Sequence, residues 1–441
     1  MDSLEDLRAG KLAGAQRLKL ACGLTEFPRE IFQLADTLEV LDLSGNRLSS
    51  LPDELPRLQR LRILFCSDND FTELPEVLGR CPQLEMVGFK ANRIATVSGG
   101  ALPAQLRWFI LTDNRIDTLP DEIGRCPRLQ KLMLAGNRLR TLPAGLADCR
   151  RLELLRISAN HLETLPDWLL TMPRLGWLAF GGNPFCTGLE DAALAHDPIA
   201  TLDWADLQAG EQLGEGASGV IQRALLRGEP PQAVAVKRFK GAVTSDGLPH
   251  SEMAACVHAG AHPNLVPALG KLADGADGAG GLVMGLIPPA FRNLAGPPSM
   301  ASCTRDVYAE GTRFTPQQAL SIAGGVASVA THLHARGLMH GDLYGHNILH
   351  DGEGRVLLGD FGAASFYRRE DAALAAALER IELRAFGCLL EELAERCDPT
   401  PALRAGLGAL VSACLNERPS SRPSFAAVEH LLADCARQLP A

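Results

Sequence analysis

Asparagine recurs at positions 46, 69, 92, 114, 137, 160 and 183, at intervals of 23, 23, 22, 23, 23 and 23 residues. A period this regular restricts the first half of the chain to a stack of like units, because one such unit cannot bury its apolar face alone and leans on its neighbours. Apolar residues stand eight, five and three positions ahead of each asparagine, as in Leu38, Leu41 and Leu43, or Leu129, Leu132 and Leu134. That spacing reads as a short strand with alternate side chains inward. A turn follows, where the asparagine amide bonds backbone groups of neighbouring coils. Losing a buried hydrogen bond of this kind costs about 1–3 kcal/mol, so the asparagines read as structural residues rather than binding ones. An atypical earlier unit around Leu18, Leu20 and Phe27 carries Gly23 in the asparagine register and reads as a cap.

The pattern resembles leucine-rich repeats of the 23-residue intracellular type. Leu51-Pro52, Leu74-Pro75, Leu119-Pro120, Leu142-Pro143 and Leu165-Pro166 close successive coils, with proline stopping the strand. Cys81, Cys126 and Cys149 share one repeat position and read as small apolar packing. Outward strand side chains form rows across the concave face of such a stack. One row is Val40, Ile63, Met86, Trp108, Lys131, Leu154 and Trp177, and the other is Asp42, Phe65, Gly88, Ile110, Met133, Arg156 and Ala179. Ile63, Phe65, Met86, Trp108, Ile110, Met133 and Trp177 make an apolar strip larger than a monomer ordinarily exposes. The expectation is a protein partner on this face: the substrate, a regulator, or the chain's own catalytic half. Imperfect repeat packing is the alternative.

The second half carries a different signal. In His340-Gly341-Asp342-Leu343-Tyr344-Gly345-His346-Asn347, followed by Asp360-Phe361-Gly362, a candidate base precedes two candidate oxygen ligands. In-line transfer of a γ-phosphoryl group needs that set: one carboxylate to accept a hydroxyl proton, and two side chains to hold magnesium against a triphosphate. Upstream, Gly214-Glu215-Gly216-Ala217-Ser218-Gly219-Val220 ends a candidate first strand. Its glycines let backbone N–H groups approach phosphate oxygens, although ordinary turns produce the same spacing. Val234-Ala235-Val236-Lys237 then reads as a strand whose lysine can pair with phosphate oxygens, with Glu252 on the next segment to orient it.

In this order the motifs resemble the eukaryotic-type protein kinase family over about residues 205–437. His262-Pro263-Asn264-Leu265-Val266 resembles the turn after that family's C helix, and Leu282-Val283-Met284 the strand leading to its hinge, with Met284 as gatekeeper. Ala385-Phe386-Gly387-Cys388-Leu389-Leu390 resembles the F helix, and Arg422-Pro423-Ser424-Phe425 the closing motif. The resemblance implies ATP and Mg2+ as cofactors. Nucleotide would be held by Leu213, Gly214, Gly216, Gly219, Val220, Ala235, Lys237, Met284 and Leu349, and magnesium by Asn347 and Asp360. Asp342, Lys237, Glu252 and Asn347 would be the catalytic set, acting on a serine or threonine hydroxyl. Cys256, His340 and Phe361 would stack as a spine, although Cys256 and Leu349 taken singly read as plain core residues.

Departures from the pattern matter as much. Gly341 stands where most members have an arginine that meets an activation-loop phosphate, which implies activity independent of such phosphorylation. Glu382, in register with the F-helix aspartate, comes only 22 positions after Asp360, with no Ala-Pro-Glu between them. The activation segment and its peptide-docking shelf are therefore cut short. Arg422 then needs another partner, with Glu382, Glu370, Asp371 and Glu379 as candidates, and Tyr344 replaces the usual lysine. Two alternatives stay open: His-Gly-Asp-Leu and Asn-Ile-Leu also resemble aminoglycoside and choline kinases, and a catalytically silent scaffold is the third reading.

The expected architecture is an α/β leucine-rich repeat solenoid over residues 1–186, a capping linker over 187–205, and a bilobal α+β protein-kinase-like domain over 206–437. Leu189, Leu194, Ile199, Leu202 and Trp204 make the linker too apolar for a loose tether. A net charge of −9 and a pI near 5.7 leave no basic footprint for nucleic acid or a membrane surface. The opening Met1-Asp2-Ser3-Leu4-Glu5-Asp6 is acidic and no apolar run reaches about 18 residues. The 12 cysteines lack Cys-x-x-Cys pairing, and the expected compartment is the reducing cytoplasm. His332, His334, His346 and His350 lack zinc-site spacing. Gly270–Gly281 reads as a hairpin, Pro288–Pro298 as loop, and Thr315-Pro316 as the start of a helix ending near Arg336-Gly337. Low lysine beside abundant arginine and alanine suits a GC-rich bacterial genome, and no feature fixes an oligomeric state.

Overall fold

The computed structural model describes residues 2–197, 199–216, 218–240, 243–272, 280–437 and 439. Met1, Ala217 of the glycine-rich loop and positions 273–279 of the expected hairpin lie outside the described residues. Two units form, Met1–Leu169 and Leu170–Ala441. The division comes before residue 186, so the last repeat and the 187–205 segment belong to the second unit.

The first unit opens with helix α1 (Leu4–Arg8), capped by Ser3, whose Oγ accepts from the Asp6 amide at 3.0 Å. Parallel strands follow: β1 (Arg17–Lys19), β2 (Val40–Asp42), β3 (Ile63–Phe65), β4 (Met86–Gly88), β5 (Trp108–Ile110), β6 (Lys131–Met133) and β7 (Leu154–Arg156). Their middle residues, including Leu41, Leu64, Phe109 and Leu155, are fully buried, which is the alternation a pleated strand imposes. Pro75, Pro120 and Pro143 cap single turns of 3-10 helix with φ of −60°, −71° and −66°. These leucine-proline pairs therefore open a helical turn as well as ending an extended stretch, because proline's fixed φ suits a helix entry.

The asparagine ladder runs from coil to coil. Asn114 Oδ1 accepts from the Ile94 amide at 3.0 Å, and its Nδ2 donates to Phe89 O at 2.9 Å. Asn137 repeats this with the Ile116 amide at 3.0 Å and Leu111 O at 2.9 Å, and also donates to Leu134 O at 3.0 Å. Burial pushes the thiols of Cys81 and Cys126 up to about 11 and that of Cys149 to about 12, in keeping with inert packing.

The second unit opens with β8 (Trp177–Ala179), helix α2 (Pro184–His196) and β9 (Ala200–Leu202). A sheet follows in the order β10-β11-β12-β14-β13-β9, from β10 (Leu207–Glu215), β11 (Gly219–Leu226), β12 (Gln232–Phe239), β13 (Ala268–Leu272) and β14 (Gly281–Gly285). Its neighbours are antiparallel except β9 beside β13. Val234, Val236, Leu272 and Val283 are buried on one face, and Phe239 and Leu282 pack with Val257 of helix α3 (Pro249–Ala259) on the other. After β15 (Arg292–Asn293) comes α4 (Pro316–His334), opened by a capping box in which Thr315 and Gln318 bond each other's backbone amides.

Two small antiparallel sheets then flank the candidate site: β16 (Leu338–Met339) with β19 (Ser365–Phe366), and β15 with β17 (Ile348–His350) and β18 (Val356–Leu358). Residues 340–347 connect β16 to β17, and 359–364 connect β18 to β19. Helices α5 (Ala372–Glu395), α6 (Pro401–Cys414) and α7 (Phe425–Ala436) complete the unit. No helix among the described residues is long and apolar enough to cross a membrane.

Asn137→Ala strands the Ile116 amide in the interior, while Leu111 O and Leu134 O each lose one of two asparagine donors and keep Asn114 and Asn160. The expected cost is about 1–3 kcal/mol, read as a lower urea midpoint for the repeat unit by far-UV circular dichroism.

Candidate active site

Val234, Ala235, Val236 and Lys237 of β12 are buried in succession, and Lys237 forms an ion pair with Glu252 of α3; the two side chains are 10% and 3% exposed. Burial disfavours the Lys237 ammonium, but the carboxylates of Glu252 and Asp360 outweigh it and hold its pKa above the ordinary lysine value. Gly219 begins β11 directly over this lysine. A Cβ there would lie 2.4 Å from Arg238 O, so only glycine lets the strand pass so close. Gly216 donates its amide to Gly219 O at 2.9 Å, while positions 214 and 216 face open space. Leu213 on β10 is 47% exposed. Ala235 pairs with Met284 across β12 and β14, Val220 lies on β11 opposite Arg238, and Leu349 is half-buried on β17.

The 340–347 loop is held from three sides. Asn347 Nδ2 donates to Asp342 Oδ2 at 2.7 Å and to Asp342 O at 3.0 Å. With its nitrogen committed there, the Asn347 amide oxygen is the atom left for a cation. Asp360, in a left-handed conformation with φ of 56°, accepts the Gly362 amide at 3.2 Å through Oδ1. An amide oxygen and a carboxylate are the hard oxygen donors magnesium prefers, so this pair fits it. Gly359 N donates to Asn347 O at 3.2 Å, and His340 Nε2 lies 3.0 Å from Gly359 O, so the two loops are tied together. The His340 and Phe361 rings are 5.1 Å apart.

Glu382 on α5 is fully buried and accepts from the Gly341 amide at 2.6 Å and the His340 amide at 3.3 Å. His334 Nε2 lies 2.8 Å from the same carboxylate. Asp306, which no motif singled out, binds His346 Nδ1 at 2.7 Å and the His346 amide at 3.3 Å. It lies far from the loop in sequence, so only the fold brings it there.

The acidic partner expected for Arg422 is replaced by backbone. Its guanidinium donates to Asn416 O at 2.9 Å, Arg380 O at 2.8 Å and Pro173 O at 2.7 Å, and burial lowers its pKa to about 10. Glu379 accepts the Phe425 amide at 2.8 Å instead, and Asp371 caps α5. Gly341 also has a physical reason. At φ of 75°, a Cβ there would lie 2.6 Å from both Ala363 O and Leu178 O, so no arginine fits.

The apolar strip is not one open face. Ile63 and Met86 are 8% and 4% exposed, and Phe65 lies over Gly88. Trp108 is half-buried under the Lys131 ammonium, 4.3 Å from its ring, while Ile110 and Met133 stay half-exposed. Trp177 is 1% exposed and stacks on Tyr344 in the second unit, with centroids 4.4 Å apart. It is therefore unavailable to an outside partner. No group of three His, Cys, Asp or Glu side chains among the described residues could hold a metal.

Comparison with known proteins agrees with this division. The family profile described as protein kinase domain matches residues 207–380, and leucine-rich repeat profiles match 36–76 and 104–162. Leucine-rich repeat-containing protein 7 of Homo sapiens is 38% identical over 64 residues, 14% of this chain and 4% of that protein. Its Rattus norvegicus counterpart is 43% identical over 54 residues, 12% of this chain and again 4% of the relative. The chain thus spans only 4% of the length of these curated relatives, and the likeness is confined to repeats. A leucine-rich repeat region over residues 36–162, followed by a protein kinase domain over 207–380, is what this chain carries.

Proposed function

We propose that this chain is an ATP-dependent protein kinase, moving the γ-phosphoryl group of Mg-ATP to a serine or threonine hydroxyl of a protein. The observation that carries the reading is the Lys237–Glu252 ion pair formed while Asn347 holds Asp342 in place. In this reading Asp342 takes the proton of the attacking hydroxyl as its oxygen bonds to phosphorus and the bond from phosphorus to the bridging oxygen of ADP breaks. Lys237 pairs with the α- and β-phosphates, and the backbone at Gly214, Gly216 and Gly219 lies along the triphosphate. Val220, Ala235 and Leu349 enclose the adenine, with Met284 behind it and Leu213 at the mouth. Asn347 and Asp360 would hold magnesium, which when bound neutralises phosphate charge.

A second reading, transfer to a small molecule such as an aminoglycoside, has one observation in its favour. Helix α5 begins at Ala372, soon after Asp360, which leaves little chain for a peptide-docking shelf. We assign the repeat region to protein capture through Phe65, Trp108, Ile110 and Met133. The 12 cysteines, with no disulfide formed among the described residues, favour a reducing compartment.

The test is incubation of the purified chain with labelled ATP, magnesium, a generic protein substrate and an aminoglycoside panel. Label on protein supports the kinase reading, label on an aminoglycoside supports the second, and none on either leaves a scaffold. Asp342→Ala is expected to slow transfer by about 10²–10⁴-fold with nucleotide affinity nearly unchanged, whereas Lys237→Met weakens nucleotide binding itself. Trp108→Ala should keep the circular dichroism spectrum and raise KM for a full-length protein substrate while leaving KM for ATP alone.

A further inference from the structure

The segment that opens the second unit bonds to the loop after Asp342, to β19 beyond the Asp360 loop and to α3. Trp177 donates its indole N–H to Leu343 O at 3.0 Å and stacks on Tyr344, with 2° between the ring planes. Both residues lie immediately after Asp342. Ser365, fully buried beyond the Asp360 loop, accepts the Phe180 and Gly181 amides at 2.8 and 3.1 Å through Oγ. Glu190 on α2, 1% exposed, accepts the Gly182 amide at 2.8 Å and the Ser251 hydroxyl at 3.0 Å. Ser251 directly precedes Glu252 on α3. His258, near the end of α3, lies 2.6 Å from Asp197. Leu178 O occupies the space beside Gly341 that an arginine side chain would need.

A kinase that lacks this arginine has nothing there to grip an activation-loop phosphate. The loops that such a phosphate would order are instead bonded to chain from outside the catalytic fold. The bonds of Trp177, Ser365 and Ser251 are buried and several go to backbone, so they persist without any modification. We propose that residues 173–197 are the activating element of the catalytic unit, and that Trp177 is a positioning residue setting Asp342 through Leu343 and Tyr344. The inference rests on the kinase reading for its consequence in rate, but the contact itself is testable apart from rate.

The full chain serves for the test, as wild type, Trp177→Phe and Trp177→Ala. Phenylalanine keeps a ring over Tyr344 and loses the indole N–H, whereas alanine loses both. The expected result is a fall in kcat of about tenfold or more in Trp177→Ala, smaller in Trp177→Phe, with KM for ATP within about twofold of wild type. Thermal melts show whether each variant is folded. Hydrogen exchange, read at 340–349, 362–366 and 234–239, is expected to speed up in the first two segments and stay unchanged in the third, whether or not the protein transfers phosphate. Phosphatase treatment of wild type is expected to leave its rate unchanged. A folded Trp177→Ala protein with wild-type exchange at 340–349 overturns the proposal, as does a rate that phosphatase abolishes. Wild type that labels nothing, with the variants still showing the exchange pattern, overturns the kinase reading while the positioning contact stands.

Discussion

One carboxylate without solvent exposure, Glu382, joins three parts of the second unit. Taking such a charge out of water costs several kcal/mol unless partners fill its lone pairs. The amides of His340 and Gly341 and the imidazole of His334 do so, which makes α5, α4 and the catalytic loop meet at one point. Burial works against the charge, but His334, His340 and Gly341 outweigh it and keep Glu382 below the ordinary glutamate range. From the same helix, Arg384 donates to Arg174 O at 3.0 Å, so the anchor for the loop also grips the segment at the start of the unit.

The two units satisfy their buried polar groups by different rules. In the repeats one side chain type answers the same backbone need once per coil, so a single buried amide in each period completes the strand turns. The second unit uses single, unrepeated solutions: Arg422 on three carbonyl groups, Asp306 beneath His346, and Ser365 under two amides. Each solution works only where distant segments arrive together.

That difference decides what could be read in advance. The ladder at Asn114 and Asn137 was legible because its signal is local and recurs at a fixed spacing. The sequential order of Lys237, Glu252, Asp342, Asn347 and Asp360 was legible for a related reason: strands, turns and helices of standard length set the spacing of such groups. Glu382 was legible as standing in register with the F-helix aspartate, but it was offered as a partner for Arg422, and its bonds to the His340 and Gly341 amides come from the fold. The partners of Arg422 were not legible, because acids were the natural candidates and carbonyl oxygens carry no side-chain signature. Trp177 misled in the same way. Its place in the repeat suggested an outward face, yet the structure puts its ring on Tyr344.

The sequence by itself determined the repeating coil and the order of Lys237, Glu252, Asp342, Asn347 and Asp360 along the chain. Periodicity and spacing are properties of the chain read along its length. Only the tertiary structure decided that the last coil belongs with the catalytic unit, that Leu178 O fills the place beside Gly341, and that Trp177 braces the loop carrying Asp342. Those outcomes depend on which buried donors and acceptors meet across more than 150 residues of chain and on the cost of leaving any of them unpaired.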